Sequence, residues 1–133
     1  MKRSFLLVAV VLGVVALVVG SACVKVAQGP ATTQGSVSEV PDYPGAVQVE
    51  FKQGPDAESG FARKTEAKWT STAPYQTVVA HYRKAIIDGG WTVTGVESKP
   101  TEMKWKLAKG TSIAEIAIKQ AAPVTIKVER RDR

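Results

Sequence analysis

The segment Ser71–Trp91 carries the clearest structural pattern in the chain, and it limits the folds that the rest can adopt. Its apolar residues recur at positions i, i+3, i+4 and i+7, a spacing that places them on one face of an α-helix. The predicted buried face comprises Tyr75, Val78, Val79, Tyr82, Ala85 and Ile86. After the N-terminal apolar run no other segment predicts a helix, so strands must cover this face.

The residues at the two ends of the helix fit its limits. Ser71 or Thr72 can accept a hydrogen bond from an unpaired amide of the first turn. Pro74 suits that turn because its missing N–H is not needed there. Gly89 and Gly90 are predicted to end the helix, since glycine readily adopts the left-handed conformation of a helix stop.

The segments on both sides of the helix alternate apolar and polar residues, as half-buried strands do. Two precede the helix and four follow it, at residues 46–52, 61–70, 91–96, 102–108, 111–119 and 124–129. In the first, Val47, Val49 and Phe51 are predicted to share the buried face. Short links such as Lys109-Gly110 predict antiparallel pairing of the last four. The sequence therefore predicts an α+β fold, with one helix packed on a mainly antiparallel sheet of five to six strands.

The N-terminus has the parts of an export signal. Lys2 and Arg3 precede the apolar run Phe5–Val19, and small residues then lead to Cys23, the only cysteine. The end of this segment, Ser21-Ala22-Cys23, resembles the lipobox of bacterial lipoprotein precursors, although Gly20 departs from the aliphatic residue that this family prefers. The resemblance implies cleavage before Cys23 and a diacylglycerol on its thiol, so Cys23 is the expected lipid attachment site.

Two other interpretations of the N-terminus stay open. Phe5–Val24 is long enough to cross a bilayer as a helix of roughly 30 Å, which would make it an uncleaved anchor. A plain secreted form is the third possibility. Under both membrane-bound interpretations Lys2 and Arg3 stay on the cytoplasmic side. We therefore expect the chain to be held at the cell membrane by its N-terminus, with its folded part outside the cytoplasm.

Composition divides the chain into three parts. Residues 1–23 form the signal peptide or anchor. Residues 24–40 are rich in Gly, Ser, Thr, Gln and Ala without a helical or strand period, which predicts a flexible spacer. Residues 41–133 are enough for one extracytoplasmic domain that folds without disulfides.

The domain has a second resemblance, carried by Tyr43-Pro44-Gly45-Ala46, by the helix start from Ser71 to Tyr82 and by Gly90-Trp91. These residues are similar to those of a family of small exported bacterial envelope domains. The shared motifs are a turn, a cap and a helix stop. They imply a common structure and no catalytic residues.

The domain shows no catalytic or metal-binding constellation. His81 is the only histidine, it lies off the apolar helix face, and no second His or Cys is available in the domain to complete a metal site. The twelve acidic residues are scattered, and no Gly-rich phosphate loop or nucleophile elbow is present. We therefore expect a surface histidine, no cofactor and no catalytic residues.

The charge and the tryptophans favour surface and core roles. The net charge is +6, but on the strands the lysines alternate with glutamates, which is typical of a solvated sheet face. Export argues against nucleic acid as a partner, and leaves anionic lipid head groups or cell-wall polymers. Trp69, Trp91 and Trp105 fall on predicted apolar faces or at the helix stop, and core packing is their expected role.

These observations predict a membrane-tethered, extracytoplasmic, non-catalytic domain that binds an envelope protein, an anionic polymer or another envelope ligand. The alternative is an enzyme, or an accessory subunit of one, with a small-molecule pocket between helix and sheet. A deep pocket containing Arg63 or His81 would favour the alternative. A solid aromatic core would favour the binding domain.

Overall fold

A computed structural model describes residues 34–57 and 60–133. Its elements in chain order are β1 (Val47–Pro55), β2 (Arg63–Ser71), α1 (Tyr75–Asp88), β3 (Thr92–Lys99), β4 (Glu102–Lys109), β5 (Ser112–Lys119) and β6 (Val124–Asp132). The predicted signal segment, Cys23 and residues 24–33 of the predicted spacer lie outside the described residues. Within the described ranges, no helix is both long and apolar enough to cross a membrane.

The strands form one sheet in the order β1-β2-β6-β5-β4-β3, and every neighbouring pair is antiparallel. The last strand, β6, lies in the middle and joins the hairpin β1-β2 to the meander β3-β4-β5. The described strands β1 and β3 form the edges. One helix and a six-stranded antiparallel sheet confirm the predicted α+β architecture.

Helix α1 packs over one face of the sheet, near β3 and β5. Its buried residues are Val78, Val79, Tyr82 and Ile86, which confirms the predicted helix phase. The three tryptophans are buried with them: Trp69, Trp91 and Trp105 are 3%, 7% and 5% exposed. The core is therefore filled by large side chains, as the sequence predicts.

The helix ends as predicted but begins differently. The backbone N–H of Trp91 donates to the carbonyl of Ile86 at 3.2 Å, and that of Gly90, whose φ is 70°, donates to Ile87 at 3.1 Å. This double hydrogen bond is a Schellman motif, so Gly90 supplies the left-handed stop, whereas Gly89 keeps a helical conformation.

The predicted cap by Ser71 or Thr72 is wrong. Pro74 occupies the N-cap position without a side-chain hydrogen bond to the helix. Ser71 is still the last residue of β2, in register with Val124, so its position is fixed by the sheet. Its Oγ accepts a hydrogen bond from the N–H of Ala73 at 3.1 Å and shapes the turn into the helix.

Residues 34–46, named here the strap, pack on the same face of the sheet as α1. Within the strap, Val37 and Val40 are 1% and 4% exposed and belong to the core. The sequence places residues 24–40 in a flexible spacer, but the part of it that the structure describes is folded onto the domain. Val37 and Val40, three residues apart, explain this difference, because both side chains can be buried against the core.

A β-bulge in β1 builds the seat for the strap. The register shifts between Gln48 and Glu50, so Gln48 shares the core side of the sheet with Phe51. The shift leaves Val47 and Val49 63% and 49% exposed. The prediction that these two valines share a buried face with Phe51 is therefore wrong, since a bulge breaks the alternation on which it rests.

Candidate binding surfaces

The side of the sheet opposite α1 and the strap is not covered by any described element. We name it the open face. Strand register assigns to it nine cationic side chains, Lys52, Lys64, Lys68, Lys99, Lys104, Lys106, Lys119, Lys127 and Arg131. The same register assigns to it six carboxylates, Glu50, Glu66, Glu97, Glu102, Glu115 and Glu129. The open face thus has an excess of positive charge.

The carboxylates at its centre form a row. Glu66 of β2 is in register with Glu129 of β6, and Glu129 with Glu115 of β5. Like charges directly opposite each other destabilise a sheet. Flanking cations compensate, and Lys64 Nζ lies 3.3 Å from Glu129 and Lys127 Nζ 3.4 Å from Glu66. Burial alone would raise the pKa of Glu129, but Lys64 and Arg131 outweigh it and lower that pKa.

Lysines form the next row, towards the end of the sheet where β2 ends and β4 and β6 begin. Lys68 pairs with Lys127 across β2 and β6, and Ala117 of β5 separates Lys127 from Lys104 of β4. The small Ala117 side chain, 7% exposed, lies beneath the surrounding lysines. The row therefore places three lysines around one small side chain on the open face.

A depression of about 280 Å³ lies on the open face at the end away from the lysine row. Its lining includes Lys106 and Arg131, with Glu115 and Glu129 between them, and the partly exposed Ile113. It is open to solvent. Its ionised groups already pair with neighbours on the face. The depression is therefore better suited to contact with another surface than to enclosing a substrate.

His81 occupies a different position from the surface histidine that the sequence predicts. Its ring is half-buried, edge-on between Tyr43 of the strap and Tyr82 of α1, with ring centroids 5.0 Å and 5.1 Å away. Its buried Nε2 has no hydrogen-bond partner. Burial lowers the pKa of His81, so the neutral imidazole is favoured. The residue holds the helix–strap contact.

His81 also lines an open hollow of about 380 Å³ between the strap and α1. Lys84 and Asp88 line it too, and these two residues form an ion pair with each other. Arg63, the other residue that would have favoured an enzyme, lies exposed at the start of β2 in register with Asp132. The structure does not bring His81 and Arg63 together.

A buried arginine fastens the strap to the sheet. Arg130 of β6 is 9% exposed and donates to Asp132 Oδ1 at 2.8 Å, Glu39 Oε2 at 2.8 Å and the carbonyl of Ser38 at 2.6 Å. Its guanidinium carbon lies 5.7 Å from the centre of the Trp91 ring. Because its N–H donors are used in these bonds, Arg130 holds the strap against the sheet and is not a free anion-binding site.

The described residues contain no group of three or more His, Cys, Asp or Glu side chains that could hold a metal ion. The hollows described above open on the surface, and the space between α1 and the sheet is occupied by Tyr82 and the tryptophans. Cys23 lies outside the described residues, so its lipid attachment stays a prediction. The charge rows were missed at the sequence level because they depend on strand register, which local alternation does not encode.

The chain matches no protein-family model and no curated protein.

Proposed function

We propose that the chain is a membrane-tethered, extracytoplasmic, non-catalytic domain that binds a partner of the cell envelope through its open face. The observation that carries this proposal is the contrast between the two sides of the sheet. One side is closed by α1, the strap and a solid aromatic core, whereas the other is charged and uncovered by the described residues. The export signal that ends at Cys23 supports the location.

Charge favours an anionic partner, which is an acidic surface of an envelope protein, an anionic polymer or an anionic lipid surface. The open face carries nine cations against six carboxylates, so its long-range field is positive although most of the cations are paired locally. Such a field speeds encounter with an anion and makes binding sensitive to salt. Nucleic acid is not the expected partner of an exported domain.

An enzyme, or an accessory subunit of one, is the second candidate. It is favoured by one observation, the unpartnered Nε2 of His81 beside an open hollow. A base needs a partner that orients it and a substrate site within reach. Neither Arg63 nor any other residue identified from the sequence converges on His81, so the binding domain is the better-supported function.

Photo-crosslinking in intact envelopes tests the proposed function. A photoreactive residue replaces Ile113 on the open face or, as the matched control, Ile87 on α1, both exposed isoleucines. We expect Ile113 to give a crosslinked envelope component that Ile87 does not give. Equal crosslinking at both positions, or none at Ile113 with the chain present in the membrane fraction, would contradict the proposal.

A further inference from the structure

We propose that the lysine-rich half of the open face rests on an anionic phospholipid surface, so that the domain lies flat on the membrane that holds its N-terminus. This inference rests on the proposed function, because the tether supplies the membrane. It names the surface that the positive charge meets. Three observations support a lipid surface: the lysines lie together in one half of the face, two of them lack ion pairs with the described residues, and the first described residues lie at the same end of the sheet.

The lysine patch comprises Lys68, Lys99, Lys104, Lys119 and Lys127. This half of the open face also contains three carboxylates, Glu50, Glu97 and Glu102, so its lysines outnumber its carboxylates by five to three. Lys68 and Lys127 are direct cross-strand neighbours, about 5 Å apart. Ala117 separates Lys127 from Lys104, and Glu102 lies between Lys99 and Lys119, so the patch is positive in sum.

Lys99 and Lys119 are the unpaired members of the patch. Both are exposed, and neither forms an ion pair with any described residue. Glu102 is in register with both, one on each side, without bonding to either. The other three lysines pair with glutamates, as Lys104 does with Glu115 at 3.6 Å. Two ammonium groups at the tip of the sheet are therefore free for an external anion.

The open face is broad, which suits contact with a membrane surface better than contact with a single polymer chain. A six-stranded sheet is about 24 Å wide, and the described residues place no loop or helix over this side. The lysine stems can lie along the sheet while their ammonium groups reach outward. Phospholipid phosphates present many equivalent anions over a wide area, so several lysines on one side of the sheet can each meet one.

The first described residues lie at the same end of the sheet as the patch, on the closed side. The N–H of Gly35 donates a hydrogen bond to Gln48 Oε1 at 2.9 Å, and Gln48 Nε2 donates one to the carbonyl of Gly35 at 2.6 Å. Gln48 is in register with Trp69, the neighbour of Lys68. The stretch from Cys23 to Gln34 spans at most ~40 Å, so a tethered domain can bring this end to the bilayer. A tether also keeps the surface at high effective concentration, so weak attraction is sufficient.

Lysine footprinting on the full chain tests the inference. The protein is reconstituted in vesicles of phosphatidylcholine alone or of phosphatidylcholine mixed with phosphatidylglycerol, treated with an amine-reactive reagent and mapped by mass spectrometry. We expect Lys99 and Lys119 to react several-fold more slowly in the anionic vesicles and to recover at high salt. Lys84, on the helix side, should react equally in both vesicles.

Two double variants sharpen the test. Lys99→Gln with Lys119→Gln removes two charges from the patch without breaking an ion pair. The equilibrium constant for docking on the anionic vesicle should fall roughly tenfold or more, because each lysine near an anionic surface contributes to the binding free energy. The readout is faster labelling of Lys104 and Lys127. Arg83→Gln with Lys84→Gln removes the same charge from α1 and should leave the protection of the patch unchanged.

Three outcomes would overturn the inference. Equal labelling of Lys99 and Lys119 in both kinds of vesicle would show that lipid charge does not hold the open face. Protection by soluble polyphosphate without any effect of anionic vesicles would assign the patch to a polymer. Equal effects of the two double variants would show that the attraction depends on net charge and not on the lysine patch. By contrast, a chain that leaves the vesicles altogether would refute the membrane tether of the proposed function.

Discussion

Two neighbouring residues of α1, His81 and Tyr82, have different tasks. Tyr82 is fully buried, and burial, with a further contribution from the charge of Asp42, raises the pKa of its hydroxyl. His81 is half-buried and packs edge-on against the rings of Tyr43 and Tyr82. The first residue fills the core, and the second joins the helix to the strap.

Replacing each by alanine should separate these tasks. Tyr82→Ala should reduce the free energy of unfolding by roughly 3–5 kcal/mol, because a large buried aromatic leaves a cavity. His81→Ala should cost about 1 kcal/mol, the size of an edge-on aromatic contact. Denaturant melts of the two variants measure both values. A larger loss for His81→Ala than for Tyr82→Ala would show that the helix phase is wrong.

The lowered pKa of His81 predicts a pH dependence of stability. The unfolded chain takes up a proton at its ordinary pKa near 6.5, whereas the folded chain does so only at lower pH. The unfolded state therefore binds more protons in this window, and stability should fall as pH drops below about 6.5. The charged groups around this contact are Lys84 and Asp88, which line the same hollow as His81, and Asp42, the sequence neighbour of Tyr43.

The comparison is between the native chain and His81→Gln, melted in denaturant at pH about 7.5 and about 5.5. We expect the native chain to lose more stability than the variant over this interval. Burial raises the pKa of Asp42, and this contribution is common to both proteins, so it cancels in the comparison. An identical pH dependence of the two proteins would rule out His81 as its source.

At the scale of elements, the strap turns a segment of spacer-like composition into part of the core. Gly35 approaches the Phe51 ring so closely that a Cβ at this position would clash with the ring. Gln48 holds the same glycine by both backbone groups. Arg130 and Trp91 bind the strap further along, at Ser38 and Glu39.

Removing the Gln48 side chain should loosen the start of the strap. Gln48→Ala leaves a part-buried N–H and carbonyl of Gly35 without their partner, which should cost about 1–3 kcal/mol. Gln120→Ala is the control, since the exposed Gln120 side chain makes no hydrogen bond in the described part of the chain, and should change stability by less than about 0.5 kcal/mol. Melts and the rate of proteolysis near residue 35 measure the effect. Equal behaviour of the two variants would mean that the strap does not depend on this contact.

Local pattern predicted the elements of this fold better than their arrangement. The period of Val78, Val79, Tyr82 and Ile86 identified the helix and its buried face because neighbours on a helix are close in sequence. The bulge at Gln48 and the central position of β6 depend on contacts between distant strands, and no local alternation encodes them. The same reason hid the charge rows, which appear only when Glu66, Glu115 and Glu129 are placed in register.

At the scale of the whole molecule, the proposed function combines a predicted export signal with a domain that has one closed and one open side. Ten residues stand between Cys23 and Gln34 in the sequence, so a lipid at Cys23 would hold the domain within ~40 Å of the bilayer. The lysine patch and the point where the strap begins lie at one end of the sheet. Location and binding surface are therefore parts of one proposal.

Mass spectrometry of the N-terminus of the mature protein tests the anchor. We expect a chain that begins at Cys23 and carries a diacylglycerol on the thiol. Cys23→Ser should then release the protein from lipid modification and leave the signal uncleaved. An intact Met1 on membrane-bound protein, with an unmodified Cys23, would contradict the lipid site and support the uncleaved anchor.

The central claim is that the open face, and not the helix side, binds the envelope partner through its positive charge. The most direct measurement is the yield of crosslinks from a photoreactive residue at Ile113 in chains that carry Lys119→Glu or Arg83→Glu. Both changes reverse one exposed charge that has no ion pair with the described residues, so the fold should not distinguish them. The account predicts a several-fold lower yield with Lys119→Glu and an unchanged yield with Arg83→Glu. Equal yields in the two variants would contradict it.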